Sequence, residues 1–141
     1  IDPAGQVNRD LENVAALKTT VAQVKVLPPG TTIGYGRNGK LEIAGRVATI
    51  NIGYADGFDR RLGNGVGQVS IRGELVPTIG NVCMDMTMVD VTNRPAVQAG
   101  DEVIVFGAKP TIRDIAAWQG TIPYEVLAGI SQRVKRVYFA Q

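Results

Sequence analysis

The stretch Gly80-Asn81-Val82-Cys83-Met84-Asp85-Met86-Thr87-Met88-Val89-Asp90-Val91 decides how the rest of the chain is read. After Asp85 the residues alternate between two sets, the signature of a strand with one buried face. The run opens on a glycine, however, and carries a Cys-Met-Asp cluster that a plain strand does not require. A β-rich fold with chemistry placed at a strand end is the first expectation.

The same mixture of short apolar runs and dense polar detail extends in both directions. Upstream, β-branched residues dominate 17–27 until Pro28-Pro29-Gly30 stops the run. A short extended piece over 31–35 leads to Asn38-Gly39, a hairpin signal, and a long strand is expected over 41–54. Glycine-rich 57–67 reads as a loop with a helical turn near Phe58 to Leu62. Further strands are expected over 68–71 and 74–76, joined tightly by Arg72-Gly73, and then over 78–82, 84–91, 102–106 and 134–139.

Helix signals appear only late. Thr111 with Asp114 three residues on forms a capping-box pattern, and Ile112, Ile115 and Ala116 line one face up to Gly120. Thr121 reads as a second N-cap, with Pro123 in the first turn and Val126, Leu127 and Ile130 at helical spacing. Many short strands without βαβ alternation argue for a mainly β fold, a closed antiparallel barrel or a sandwich.

Composition narrows the function. The chain has 141 residues, enough for one domain that buries roughly two-thirds of its unfolded surface. Its 15 basic and 13 acidic residues give a net charge of +2 without a basic face, which excludes nucleic acid as the expected partner. Cys83 is the only cysteine and histidine is absent, so an intrachain disulfide, a histidine-based zinc site and a Ser-His-Asp triad are excluded. No run approaches the roughly 18 apolar residues of a membrane span, and the N-terminus has no signal pattern, so a soluble cytoplasmic protein is expected. Polar residues 1–16 read as a linker, and a start at Ile1 suggests a fragment of a longer protein.

Three stretches accompany Gly80 to Asp85: Ile33-Gly34-Tyr35-Gly36-Arg37, Asn51-Ile52-Gly53-Tyr54-Ala55-Asp56-Gly57-Phe58-Asp59-Arg60-Arg61, and Thr121-Ile122-Pro123-Tyr124-Glu125-Val126. From the residues alone Tyr35 is a surface turn tyrosine, Asp56-Gly57 a turn, Arg60 a solvated charge, Tyr124 a helix-start tyrosine, and Met84, Met86 and Met88 apolar filler. Cys83 reads as a small buried residue, since nothing near it in sequence would activate its thiol.

Taken in order, these motifs resemble the C-terminal β-domain of alanine racemases, over about Leu17 to Phe139. The resemblance implies a closed Greek-key-like antiparallel β-barrel with two short helices near the C-terminus, occupying 17–141 behind a linker from an absent N-terminal (β/α)8 barrel. It implies pyridoxal 5′-phosphate as cofactor, with the Schiff-base lysine in that absent barrel, and interconversion of L- and D-alanine for peptidoglycan synthesis. The fragment alone is then inactive. The implied partners are alanine and the N-terminal barrel of a second subunit in a homodimer.

Residue by residue, Tyr35 takes the place of a catalytic base that works on the partner's active site, with a lysine on the opposite face of the substrate. A free phenol titrates near pKa ~10, so that role requires a nearby cation or donor, which in the family comes from the barrel domain. Met84 falls where a main-chain N–H holds the substrate carboxylate, and Tyr124 where a phenol holds the coenzyme phosphate. Tyr54, Arg60, Asn81 and Ile122 fall in the substrate entryway. Asn81 departs from the family's Gly-Arg-x-x-Met-Asp pattern, which has arginine there. Two other readings stay open: a non-catalytic dimerisation or binding module of the same fold, and a racemase of serine or another amino acid. The module would be indifferent to Tyr35→Phe.

Overall fold

The computed structural model describes residues 14–139. The linker expected over 1–16 therefore lies outside the described residues except for its last three, which are exposed and carry no regular structure.

The architecture grows from β1 (Leu17–Leu27), the strand expected from its β-branched run. Its first half pairs antiparallel with β8 (Glu102–Phe106) and its second half with β4 (Gly45–Ile50). Register irregularities at Leu17/Lys18 and at Val21/Gln23 mark these pairings, and such bulges bend and twist a strand. One long bent strand thus serves two neighbours and curls the sheet.

The six-stranded sheet runs β6-β5-β8-β1-β4-β7, with β5 (Gln68–Ile71), β6 (Glu74–Pro77) and β7 (Thr87–Asp90) completing it. Its two outer strands meet: Thr78, just past β6, bridges to Val89 of β7, and the Ile79 N–H donates to Met88 O at 2.8 Å. The result is a nearly closed antiparallel barrel, which leaves little free sheet edge. The Arg72-Gly73 hairpin turn is as the sequence suggests, with both residues left-handed at φ 53° and 81°, the twist that a two-residue hairpin favours.

The barrel interior is aliphatic: Ile50, Val69, Ile71, Val89, Val91, Val103 and Val105 are buried, joined by Leu62 from the loop before β5. Helix α1 (Ile112–Gln119) adds Ile115 and Ala116, and α2 (Pro123–Ala128) adds Val126. The Thr111–Asp114 capping box is formed as expected, with Gly120 closing α1 in the left-handed conformation. A smaller cluster of Ile33, Leu41 and Val47 lies where β2 (Thr32–Ile33) pairs with β3 (Gly39–Lys40).

Several expectations need correction. The 41–54 strand is only β4, because Leu41 pairs with Gly30 and Thr31 before it and a 3₁₀ turn at Tyr54–Asp56 ends the extended run. Residues 78–82 and 84–86 form no ladder strand: Gly80 turns the chain at φ 75°, and the Cys83 N–H folds back onto Met86 O. The chirality of the β2–β3 hairpin comes from Gly34, Gly36 and Arg37 rather than from Asn38-Gly39, since Asn38 has φ −77° and Gly39 lies within β3. Ile122, not Thr121, is the cap residue of α2; the Thr121 hydroxyl reaches the Glu125 carboxylate instead. Residues 134–139 pair with no strand among the described residues, and Tyr138 and Phe139 are almost fully exposed.

Candidate active site

Two backbone contacts organise the site, and glycine makes both possible. A Cβ on Gly53 would lie 2.3 Å from Cys83 O and from Met84 O, so only glycine lets the chains approach this closely. There the Tyr54 and Ala55 N–H groups donate to Cys83 O and Met84 O, each at 3.0 Å. Likewise a Cβ on Gly39 would lie 2.7 Å from the Gly80 nitrogen, so the β2–β3 hairpin sits directly on Gly80. The 80–85 segment therefore holds the Tyr54 turn through one contact and the Tyr35 hairpin through the other.

Tyr35 occupies the tip of that hairpin, 77% exposed, between the left-handed glycines Gly34 and Gly36. Asn81 reaches it from below: its Nδ2 donates to Tyr35 O at 2.8 Å, while its Oδ1 accepts from Asn64 at 2.9 Å and from Asn38 at 3.4 Å. The phenolic hydroxyls of Tyr35, Tyr54 and Tyr124 have no hydrogen-bond partner among the described residues, and the three rings are at least partly exposed.

Met84 is 53% exposed, and its carbonyl is used by Ala55 while its N–H meets no acceptor among the described residues. An unpaired main-chain donor at an exposed strand approach is suited to an anionic ligand group. Tyr54 and Arg60 share a shallow groove with Gly57, Val126 and Gly129. Arg60 has no acceptor among the described residues, whereas its neighbour Arg61 is committed to Asp59 and to Gln119 O of α1 at 2.9 Å. Ile122 and Tyr124 stand exposed at the start of α2.

Sequence reading missed Arg133. Its Nε donates to Asp56 Oδ1 at 2.6 Å and its Nη2 to Asp85 Oδ1 at 2.5 Å, clamping the C-terminal turn, the Tyr54 turn and the 80–85 segment together. Asp56 also accepts the Gly53 N–H at 2.9 Å, which gives it the turn role expected of an Asp-Gly pair. Burial raises the pKa of Asp56, but the Arg133 hydrogen bond, the Gly53 N–H and the Arg133 charge together hold it below its ordinary 3.8. No local pattern links positions 48 and 77 residues apart, so no signal in the sequence could have found this clamp. No cluster of potential metal ligands occurs among the described residues.

A model of the alanine racemase C-terminal domain matches residues 14–138. The chain belongs to the family of alanine racemase C-terminal domains. It is 44% identical over 142 residues to alanine racemase 2 of Caldanaerobacter subterraneus, covering 96% of this chain and 36% of that protein. To the alanine racemase of Halothermothrix orenii it is 46% identical over 135 residues, covering 93% and 35%. Among solved structures, the alanine racemase of a D-cycloserine-producing Streptomyces lavendulae superposes with a TM-score of 0.90 at 31% identity, over 100% of this chain and 38% of the other. That of Bartonella henselae, which has covalently bound pyridoxal phosphate, gives 0.85 at 33% identity over 88% and 34%. The chain thus spans about a third of the length of the racemases it matches. In this alanine racemase C-terminal domain, Tyr35, Tyr54 and Tyr124 are exposed on the tips and turns described above. No helix among the described residues is long and apolar enough to cross a membrane.

Proposed function

We propose that this domain supplies one half of the catalytic centre of a homodimeric alanine racemase that interconverts L- and D-alanine in the cytoplasm for peptidoglycan synthesis. The observation that carries the reading is the exposed, unpartnered phenol of Tyr35, whose main-chain carbonyl is held by Asn81, only three residues before the free Met84 N–H. A group that exchanges a proton with a substrate must be accessible and must not spend its hydroxyl within its own chain.

In this reading residues 1–16 join the domain to an N-terminal (β/α)8 barrel, and 17–141 face the barrel of a second subunit. The Tyr35 oxygen takes or returns a proton at the alanine α carbon from one face. A lysine of the barrel, the one that bonds the coenzyme, acts from the other. The Met84 N–H donates to the substrate carboxylate and orients the α carbon between the two bases. Pyridoxal 5′-phosphate, when bound, spreads the negative charge left at that carbon. The free Tyr124 hydroxyl fits a donor to its phosphate, and Tyr54, Arg60, Ile122 and Asn81 surround the entrance. The exposed apolar side chains of Tyr54, Met84, Met86, Ile122 and Tyr124 suit a surface covered by the partner barrel.

The test is alanine interconversion by the parent chain under saturating pyridoxal phosphate, beside the 141-residue chain alone. Turnover by the parent and none by the isolated domain is expected. Turnover by the isolated domain, or none by the parent, contradicts the reading.

A further inference from the structure

The entrance role given to Asn81 does not account for where its side chain points. Its carboxamide turns onto the neighbouring loops, donating to Tyr35 O at 2.8 Å and accepting from Asn64 Nδ2 at 2.9 Å and Asn38 Nδ2 at 3.4 Å. We infer that Asn81 is the positioning residue for Tyr35, setting the main chain from which the phenol reaches the partner's substrate. The inference rests on the proposed racemase function.

The loop at 34–38 has little of its own to hold it. Gly34, Gly36 and Arg37 all adopt left-handed backbone, at φ 76°, 71° and 56°. That conformation is costly for arginine, and glycine brings the greatest freedom to escape it. Within the hairpin the loop has one main-chain bond, Arg37 N–H to Gly34 O at 3.2 Å, and the Arg37 side chain on Thr32. Among the described residues, every hydrogen bond that leaves the loop for another part of the chain runs to Asn81.

Asn81 in turn is fixed at its base. Gly80 and Gly39 pack backbone to backbone, and the Asn81 nitrogen lies 3.3 Å from the position a Gly34 Cβ would take. The side chain is anchored from the opposite direction by Asn64, whose own N–H donates to Gly80 O at 2.8 Å. A carboxamide donates to Tyr35 O from its nitrogen while its oxygen accepts from two amides. An aspartate keeps the acceptors but loses the donor; a leucine of similar size loses both.

A displaced base lowers the rate of proton transfer and leaves substrate binding alone, because positional errors of about 1 Å in a reacting group cost up to ~100-fold. The experiment measures racemisation by the full-length parent enzyme as wild type, Asn81→Asp, Asn81→Leu and Asn64→Leu, together with amide hydrogen exchange at Arg37. For both Asn81 variants a fall in kcat of about 10-fold or more at unchanged KM is expected, with faster exchange at Arg37. Asn64→Leu, which loosens the anchor and spares the Tyr35 bond, is expected to change both in the same direction by less.

A raised KM at wild-type kcat would overturn the inference in favour of an entrance role. Wild-type kcat in both Asn81 variants would overturn it, as would a lower kcat without faster Arg37 exchange. If the Asn81 variants fail to fold, Asn64→Leu decides, and wild-type kcat and exchange there would overturn the inference. Absence of turnover in the wild-type parent would instead sink the racemase reading and Tyr35's part in it, and the exchange data would show separately whether Asn81 pins the loop.

Discussion

Arg133 donates from Nε to Asp56 Oδ1 at 2.6 Å and so ties the C-terminal turn to a residue 77 positions earlier. Its other arm holds Asp85, next to the Met84 N–H. The Arg133 pKa is raised, first by the hydrogen bond to Asp56 and then by that to Asp85, so the guanidinium stays charged at every working pH. Arg133→Met is expected to lower the urea midpoint and to mobilise 84–86, seen as faster hydrogen exchange there. An unchanged midpoint together with unchanged exchange would show that the clamp is idle.

Acid stability follows from the same pair. Asp56 titrates below its ordinary 3.8 when folded, despite a burial penalty that pushes the other way, because Arg133 and the Gly53 N–H outweigh it. A depressed folded pKa gives stability that is fully present above the unfolded value and is lost as pH falls through the folded one. Unfolding free energy should therefore decline as pH drops from about 5 towards 3, and Asp56→Asn should flatten that limb. Parallel pH profiles of the two proteins would contradict this assignment.

Gly53→Ala tests the close approach beneath Met84. The backbone there, φ −146° and ψ −168°, is open to any residue, so the cost comes from the added carbon meeting Cys83 O and Met84 O at 2.3 Å. Overpacking against main chain is expected to cost about 3 kcal/mol or more, read from chemical denaturation. A loss under about 0.5 kcal/mol would mean that the two segments separate freely.

The two threonines that precede the helices should behave differently. Thr111→Ala removes a side-chain cap from the Asp114 N–H and is expected to cost about 1 kcal/mol. Thr121→Ala removes only an exposed contact with Glu125 and should cost under about 0.5 kcal/mol. Equal losses at both positions would return the capping role to Thr121.

This contrast shows what the sequence could and could not carry. Elements encoded by local rules, such as β1, the Arg72-Gly73 turn, β8 and the Thr111 capping box, were legible with close to their observed bounds, because each depends on neighbours a few residues away. Residues 78–86 misled because their alternation is that of a strand while Gly80 and the Cys83–Met86 turn remove them from the ladder. Residues 134–139 misled for a similar reason: β-branched and aromatic content does not supply a pairing partner. The exposed turn setting of Tyr35 could be read from its flanking glycines. Neither the Arg133 clamp nor the turn of Asn81 onto the Tyr35 loop could be, since both are contacts between segments 46 to 77 residues apart.

The central claim is that Tyr35 exchanges a proton with the substrate. Its most direct test is L- to D-alanine interconversion by the full-length parent enzyme, comparing wild type with Tyr35→Phe at saturating pyridoxal phosphate and with coenzyme binding followed by its absorbance. The ring, the loop and the Asn81 bond to Tyr35 O all survive that change, so only the hydroxyl is lost. A fall in kcat of about 10²- to 10⁴-fold with coenzyme still bound is the expected result. Near wild-type turnover in the phenylalanine variant would contradict the account and leave the domain as an assembly module.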